Sequence, residues 1–269
     1  MRKLSMPSCE RSIPQAPDLP EYCIVTKFKK MIQSKMLTVT IILVVLPGFS
    51  NQTFSKSNTN NMENNTQEKI GLLVTMKARP GKEQAVRDFL LGGLSLVNQE
   101  PATESWYAFQ VDERTFGIFD TFDKEEGRQA HLSGEVAKAL LANADDLLVD
   151  FDVNTSIQQV DLMATKLSKG KEHKGLLVIL TAKEGKASDV ERFLLGGKAL
   201  VDDEPKTVSW YAIQLNSTTY AIFDTFAEDE GRDAHLNGKV AAALVENASV
   251  ILEGFNTEAI QMIDILASK

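Results

Sequence analysis

The spacing of apolar residues changes in a regular order between residues 71 and 164. Runs that are apolar on both faces, or rich in aromatic and β-branched residues, predict strands, and apolar residues three or four positions apart predict helices. The βαββαβ order that results is the ferredoxin-like motif. The predicted elements are a strand at Gly71–Ala78, a helix at Lys82–Val97 that ends before Glu100-Pro101, a hairpin of Glu104–Val111 and Thr115–Phe122, a helical segment at Asp123–Leu148 with a capping box at Asp123 and Glu126 and interruptions at Gly127 and Gly134, and a strand at Ser156–Ala164.

The whole pattern occurs twice. A slip of one residue precedes the last strand, where Ile157 corresponds to Ile260. The sequence therefore predicts two α+β domains, at 69–167 and 171–269, joined by the short segment Leu167–Lys174. The segments of the first copy that recur 104 residues later are Gly71–Val74, Phe89–Gly93, Ser105–Ala108 and Ile118–Phe122.

A four-stranded sheet with both helices on one face leaves its other face uncovered. Both alternating sets of residues along Leu72–Met76 and Phe116–Phe122 are largely apolar, and exposing apolar surface costs about 25 cal/mol per Å². We therefore expect the two sheets to face each other as an intrachain pseudo-dimer around a closed barrel-like core. This barrel is expected to enclose an apolar chamber that the histidines adjoin.

The first 68 residues differ from the repeats. Met36–Leu46 is an apolar run of 11 residues, shorter than the roughly 20 that span a bilayer and typical of a secretory signal. We expect 1–50 to be an N-terminal extension and signal peptide cleaved after Ser50, and the polar segment 51–68 to be a disordered linker. An uncleaved anchor is the alternative. On the first interpretation the protein is exported, to the periplasm or beyond, without stable membrane insertion.

Composition excludes several classes of function. Acidic residues outnumber basic ones by 37 to 29, which argues against nucleic-acid partners. The only cysteines, Cys9 and Cys23, precede the apolar run, so the mature protein would have no thiol for a disulfide, a metal site or nucleophilic catalysis. We find no metal-ligand spacing, phosphate-binding loop or nucleophile elbow, and we expect no cofactor.

Three motifs occur at Trp106–Gln110, Phe116–Phe122 and Glu126–Gly134, and the last is repeated as Glu230–Gly238. They resemble the antibiotic biosynthesis monooxygenase family of the dimeric α+β barrel superfamily, which also contains small quinol monooxygenases. The resemblance implies that the two α+β repeats form an intrachain dimeric α+β barrel. The resemblance implies oxidation of an electron-rich aromatic molecule, such as a quinol or an anthrone, by O₂ without metal or flavin. The sequence departs from the family's pattern at the end of the third strand, where Phe122 and Phe226 replace a frequent tryptophan. The first strand lacks the asparagine of the haem-degrading branch, which disfavours that activity.

Histidine and aspartate at repeated positions are the candidate catalytic groups. His131 and His235 suit proton abstraction near neutral pH, although each could instead bond a backbone carbonyl and lock the helix break at the following glycine. Asp120 and Asp224 could orient a histidine or act as the base themselves. The alternative for them is a buried salt bridge to an arginine, Arg128 in the first copy and Arg232 in the second.

Aromatic side chains are candidates for substrate binding, together with those two arginines. Trp106 and Trp210 project from the opposite strand face to Tyr107 and Tyr211. One aromatic of each pair is therefore expected to face the barrel interior and to stack on a planar substrate, and the other to pack in the core.

Three functions agree with these features. We favour a cofactor-independent monooxygenase acting on a small aromatic molecule and O₂. The alternatives are a non-catalytic module that binds an apolar or aromatic molecule, and a structural protein whose pockets are filled by side chains. The sequence leaves further self-association open.

Overall fold

The computed structural model describes residues 70–256 and 260–269, all of which belong to the compact unit Leu43–Lys269. The signal peptide and extension predicted at 1–50, and the linker at 51–68, lie outside the described residues. Within the described part, no helix combines the length and the apolar character that a membrane span requires.

Each half of the described chain follows the predicted βαββαβ order, with the second helical segment divided into two helices. The first half contains β1 (Ile70–Lys77), α1 (Glu83–Val97), β2 (Ser105–Gln110), β3 (Thr115–Phe122), α2 (Glu125–Leu132), α3 (Glu135–Leu147), the single turn α4 (Val153–Ser156) and β4 (Ile157–Leu167). The second half contains β5 (Lys174–Thr181), α5 (Ala187–Asp202), β6 (Thr207–Gln214), β7 (Thr219–Phe226), α6 (Asp229–Leu236), α7 (Lys239–Ile251) and β8 (Ile260–Ser268).

The eight strands form one closed antiparallel barrel in the order β1-β3-β2-β8-β5-β7-β6-β4. Each half contributes four adjacent strands, and two seams join the halves. At one seam β2 pairs with β8, and at the other β4 pairs with β6. Because every edge strand finds a partner in the other half, no backbone edge of either sheet is left unpaired. The predicted intrachain dimeric α+β barrel is confirmed.

Strand alternation divides each sheet into an inner and an outer face. On β2 and β3, Trp106 and Ile118 point outward and pack with helix residues such as Leu90, whereas Tyr107 and Phe119 point inward. The aromatic and aliphatic side chains that fill the barrel interior come from both halves. The largest of them are Tyr107, Phe109, Phe119, Tyr211, Ile213 and Phe223, none of which is more than 2% exposed.

The expected chamber beside the histidines is therefore wrong in its location. His131 lies on helix α2 and contacts Asp120, which is paired across the ladder with the outward-pointing Trp106. The histidines thus lie outside the barrel, between its wall and the helices. The sequence alternation correctly placed the two aromatics on opposite faces, but it did not say which face carries the histidine.

Two details of the helical segment also differ from the prediction. Helix α2 begins after Lys124, which makes no side-chain cap hydrogen bond, so the capping box at Asp123 and Glu126 does not form. Gly127 lies inside α2 without interrupting it. A Cβ at Gly127 would lie 3.1 Å from the carbonyl oxygen of Ala102, so this glycine permits close packing instead. The break at Gly134 is confirmed, because α3 begins directly after it.

The inner face is packed by complementary residue sizes. Gly117 lies opposite Phe109 on the β2–β3 ladder, and a Cβ at Gly117 would come within 2.2 Å of the Phe109 ring. At the corresponding positions of the second half, Ala221 lies opposite Ile213. In the second half, the methyl group of Ala221 is therefore accommodated by an isoleucine, Ile213, in place of the phenylalanine.

We predict that Gly117→Ala lowers the free energy of unfolding by about 1–3 kcal/mol, the usual cost of overpacking. Adding Phe109→Ile recreates the pair of the second half, so the double variant should be more stable than the sum of the two single effects implies. Urea unfolding of the wild type, the two single variants and the double variant measures this coupling. Strictly additive losses would show that the two residues do not compete for the same space.

Candidate functional site

Each half brings its predicted histidine and aspartate together. His131 Nε2 lies 3.3 Å from Asp120 Oδ2, and His235 Nε2 lies 3.2 Å from Asp224 Oδ2. Both aspartates are 1% exposed. The alternative salt bridge of Asp120 to Arg128 is wrong, because the guanidinium of Arg128 pairs with Glu125 of the same helix instead.

A glutamate that the sequence analysis missed holds the other ring nitrogen. His131 Nδ1 lies 2.6 Å from Glu100 Oε2, and His235 Nδ1 lies 2.7 Å from Glu204 Oε2. Thr103 Oγ1 donates a hydrogen bond of 2.9 Å to the same oxygen of Glu100. The signal was present in the sequence, since Glu-Pro-x-Thr occurs in both copies, but it was interpreted only as a helix end. Each imidazole side chain thus contacts two carboxylates, and not the backbone carbonyl that was the alternative.

The two carboxylates favour the protonated imidazole. Burial alone would lower the pKa of His131, but the hydrogen bonds and charges of Asp120 and Glu100 outweigh it and raise the pKa to about 9. The same balance raises the pKa of His235 to about 10. Burial also raises the pKa of Asp120, against the opposing influence of His131. Near neutral pH each histidine is therefore an imidazolium cation between a glutamate and an aspartate side chain, and it is not available as a free base.

Each glutamate is positioned by a lysine from the other half. Lys269 Nζ, beyond β8, donates hydrogen bonds to the carbonyl oxygens of Val97 at 3.1 Å and Glu100 at 2.6 Å. Lys166 on β4 makes the equivalent bonds to Val201 and Glu204, at 2.7 and 2.6 Å. A cation is well placed at these carbonyls, since the negative end of the helix dipole lies there. The residues after α1 and α5 are thus fixed across the seams.

A pocket adjoins each histidine on the helix side of the barrel wall. The first has a volume of about 360 Å³ and the second about 330 Å³. Glu100 and His131 line the first pocket, and Glu204 and His235 line the second. Asp120 and Asp224 are not among the lining residues, so each lies behind its histidine. The arrangement is a chain from pocket to protein interior: glutamate, imidazole, aspartate.

The predicted substrate-binding residues do not line these pockets. Trp106 and Trp210 are fully buried against the outer face of the sheet. Tyr107 and Tyr211 lie on the inner face, where their hydroxyl oxygens are 3.0 Å apart. Arg232 pairs with Asp229 of its own helix, much as Arg128 does with Glu125. Within the described residues, no group of histidine, cysteine and acidic side chains has the arrangement of a metal site.

The raised histidine pKa values predict how stability depends on pH. A folded-state pKa of about 9 or 10 lies above the unfolded value of about 6.5. The stabilisation is then complete below pH 6.5 and is lost as the pH rises through 9 and 10. We expect the free energy of unfolding to fall by a few kcal/mol over this range.

Urea unfolding at closely spaced pH values between 6 and 10.5 measures the fall. The double variant His131→Gln, His235→Gln should remove most of the pH dependence, whereas His173→Gln, at an exposed position, should not. An unchanged profile in the double variant would show that the imidazoles are not the titrating groups.

Comparison with known proteins identifies solved structures that have a similar fold. No family model matches the chain, and no curated protein matches it. Among solved structures, a candidate monooxygenase from Fusobacterium nucleatum is similar at 12% identity, over 75% of this chain and 94% of that chain, with a TM-score of 0.63. An anthrone oxidase-like protein is similar at 12% identity, over 76% and 93% of the two chains, with a TM-score of 0.50.

A protein of unknown function from Nitrosomonas europaea is 45% identical over 38% of this chain and 97% of its own, with a TM-score of 0.36. The first two similarities span both halves of the barrel. The chain therefore shares the fold of structures described as a candidate monooxygenase and as an anthrone oxidase-like protein, which agrees with the fold that its sequence motifs predicted.

Proposed function

We propose that the protein is a cofactor-independent monooxygenase for an electron-rich aromatic alcohol, such as a quinol or an anthrone in its enol form. The observation that carries this proposal is the carboxylate at each pocket, Glu100 or Glu204, which is hydrogen-bonded to a buried imidazole and aspartate. The similarity of the protein's fold to that of candidate monooxygenases also supports the proposal. The proposal includes O₂ as co-substrate and a small aromatic molecule as partner.

The glutamate, and not the histidine, is the first proton acceptor in this proposal. Both nitrogens of His131 are already occupied by carboxylates, whereas Glu100 is 20% exposed and lines the pocket. A phenolic hydroxyl can therefore donate to Glu100 directly. Burial raises the pKa of Asp120, so this carboxylate can in turn take up a proton from His131. The cluster as a whole accepts one proton, and the imidazole links its two ends.

The remaining steps follow from the substrate's own chemistry. The phenolate transfers an electron to O₂, the two radicals combine at a ring carbon, and the C–H proton leaves as the O–O bond breaks. One oxygen atom becomes the new carbonyl of the product and the other leaves as water. Four electrons pass from the substrate to O₂, and none comes from the protein. The apolar lining residues, including Leu96 and Ala130, limit the access of water to the radical pair.

Oxygen uptake with hydroquinone or anthrone tests the proposal. We expect consumption above the spontaneous rate, and a loss of at least tenfold in kcat/KM in the double variant Glu100→Gln, Glu204→Gln, since amides cannot accept the proton. Glu113→Gln, a surface change of the same kind, should leave the rate unchanged. Wild-type uptake no faster than background, with a folded protein, would remove the proposal.

A non-catalytic binding module remains the second candidate, and one observation favours it. Each half has a pocket beside the histidine, but both nitrogens of that imidazole are occupied by carboxylates, which leaves the histidine itself unable to accept a proton from a ligand. Tight binding of an aromatic compound that is recovered unchanged, without oxygen uptake, would decide for this function.

We also propose export, on the basis of the apolar run Met36–Leu46 and the lysine before it. Expression of the full chain with a C-terminal tag in a bacterial host should give a processed protein outside the cytoplasm, and Edman sequencing should begin at Asn51. A cytoplasmic protein that retains residues 1–50 would contradict export.

A further inference from the structure

The two pockets share most of their lining residues and differ at three exposed positions, which we call the rim. Eight of the eleven lining positions carry the same residue in both halves. The three that differ are Gln99, Ala102 and Glu135 in the first pocket, and Asp203, Lys206 and Lys239 in the second. The formal charge of these three positions changes from −1 to +1, while the glutamate, threonine and histidine below them are retained.

Lys239 occupies a position that is unfavourable for local structure. It is the first residue of α7, whose first turn contains no acidic residue, and the positive end of the helix dipole lies there. The corresponding residue of α3 is Glu135, which suits a helix N-terminus. Among the described residues, Lys239 forms no salt bridge with an acidic side chain. The folded chain alone therefore gives no reason for a lysine at this position, and sequence choices that local rules oppose tend to mark function.

Lys206 adds a second positive charge to the same rim. It pairs with Glu230, whose side chain is 83% exposed, and an exposed pair of this kind contributes little and is easily exchanged. The first pocket has Ala102 at this position. At the three differing positions, two ammonium groups and the carboxylate of Asp203 thus border the second pocket, and the carboxylate of Glu135 borders the first.

We infer that the second pocket binds an aromatic ligand that carries a carboxylate, and that the first pocket binds its uncharged counterpart. In the second pocket the carboxylate lies toward Lys206 and Lys239, while a ring hydroxyl faces Glu204. In the first pocket, Glu135 repels an anion at the same place. The inference uses the pockets of the proposed function, but binding tests it separately from oxidation.

Exchange of the two rims provides a matched test. Hydroquinone and 2,5-dihydroxybenzoate share the ring hydroxyls and differ in one carboxylate, and the imidazole NMR signals of His131 and His235 report on each pocket individually. In the wild type we expect 2,5-dihydroxybenzoate to shift the His235 signals at lower concentration than those of His131, with a preference that weakens at high salt.

The double variant Lys206→Ala, Lys239→Glu should weaken binding of 2,5-dihydroxybenzoate at the second pocket about tenfold and leave hydroquinone unaffected. Ala102→Lys, Glu135→Lys should produce the opposite change at the first pocket. All four rim positions are solvent-accessible, so the variants are expected to fold. Equal affinities at the two pockets, a preference that the exchange does not move, or no binding of either probe would overturn the inference.

Oxygen uptake separates this inference from the proposed function. Binding with the expected charge preference but without oxygen uptake would remove the monooxygenase and leave the inference standing. Oxidation of both probes at equal efficiency in both rim variants would support the monooxygenase and overturn the inference.

Discussion

The fold depends on a sheet that is apolar on both faces. Helices cover one face of each four-stranded sheet, and the other face, with Tyr107 and Phe119 in the first half, would be exposed if the half stood alone. The second half supplies the missing cover and also pairs both edge strands. Hydrophobic burial and backbone pairing therefore require the same arrangement, which leaves little freedom for the halves to associate in another way.

Closing the barrel also builds the candidate site. Where β8 joins β2, the chain carries Lys269 to the end of α1, and where β4 joins β6 it carries Lys166 to the end of α5. Each lysine holds the backbone of the glutamate that contacts the histidine of that half. The carboxylate–imidazole cluster of one half is thus fixed by a residue of the other, so barrel assembly and site geometry are not independent properties.

The sequence was sufficient for the fold but only partly for the site. Alternation along β2 and β3 predicted the opposed directions of Trp106 and Tyr107, because strand periodicity is a local property. The contact between Asp120 and His131 was among the alternatives because a carboxylate on an apolar strand face needs a partner. Glu100 was missed because it lies in a connection 31 residues before His131, and only the folded chain brings them together. The interpretation of His131 as the base was based on the ordinary imidazole pKa, which Asp120 and the unforeseen Glu100 raise.

The same geometry explains why the two pockets could diverge without loss of the fold. Asp224 and His235 are nearly fully buried, and removing one partner of a buried charged pair leaves the other uncompensated, at a cost of several kcal/mol. These positions are consequently the same in both halves. The rim positions are solvent-exposed, where substitution usually changes stability by less than about 0.5 kcal/mol. The two halves can therefore keep the same buried cluster and differ in the charge around each pocket entrance.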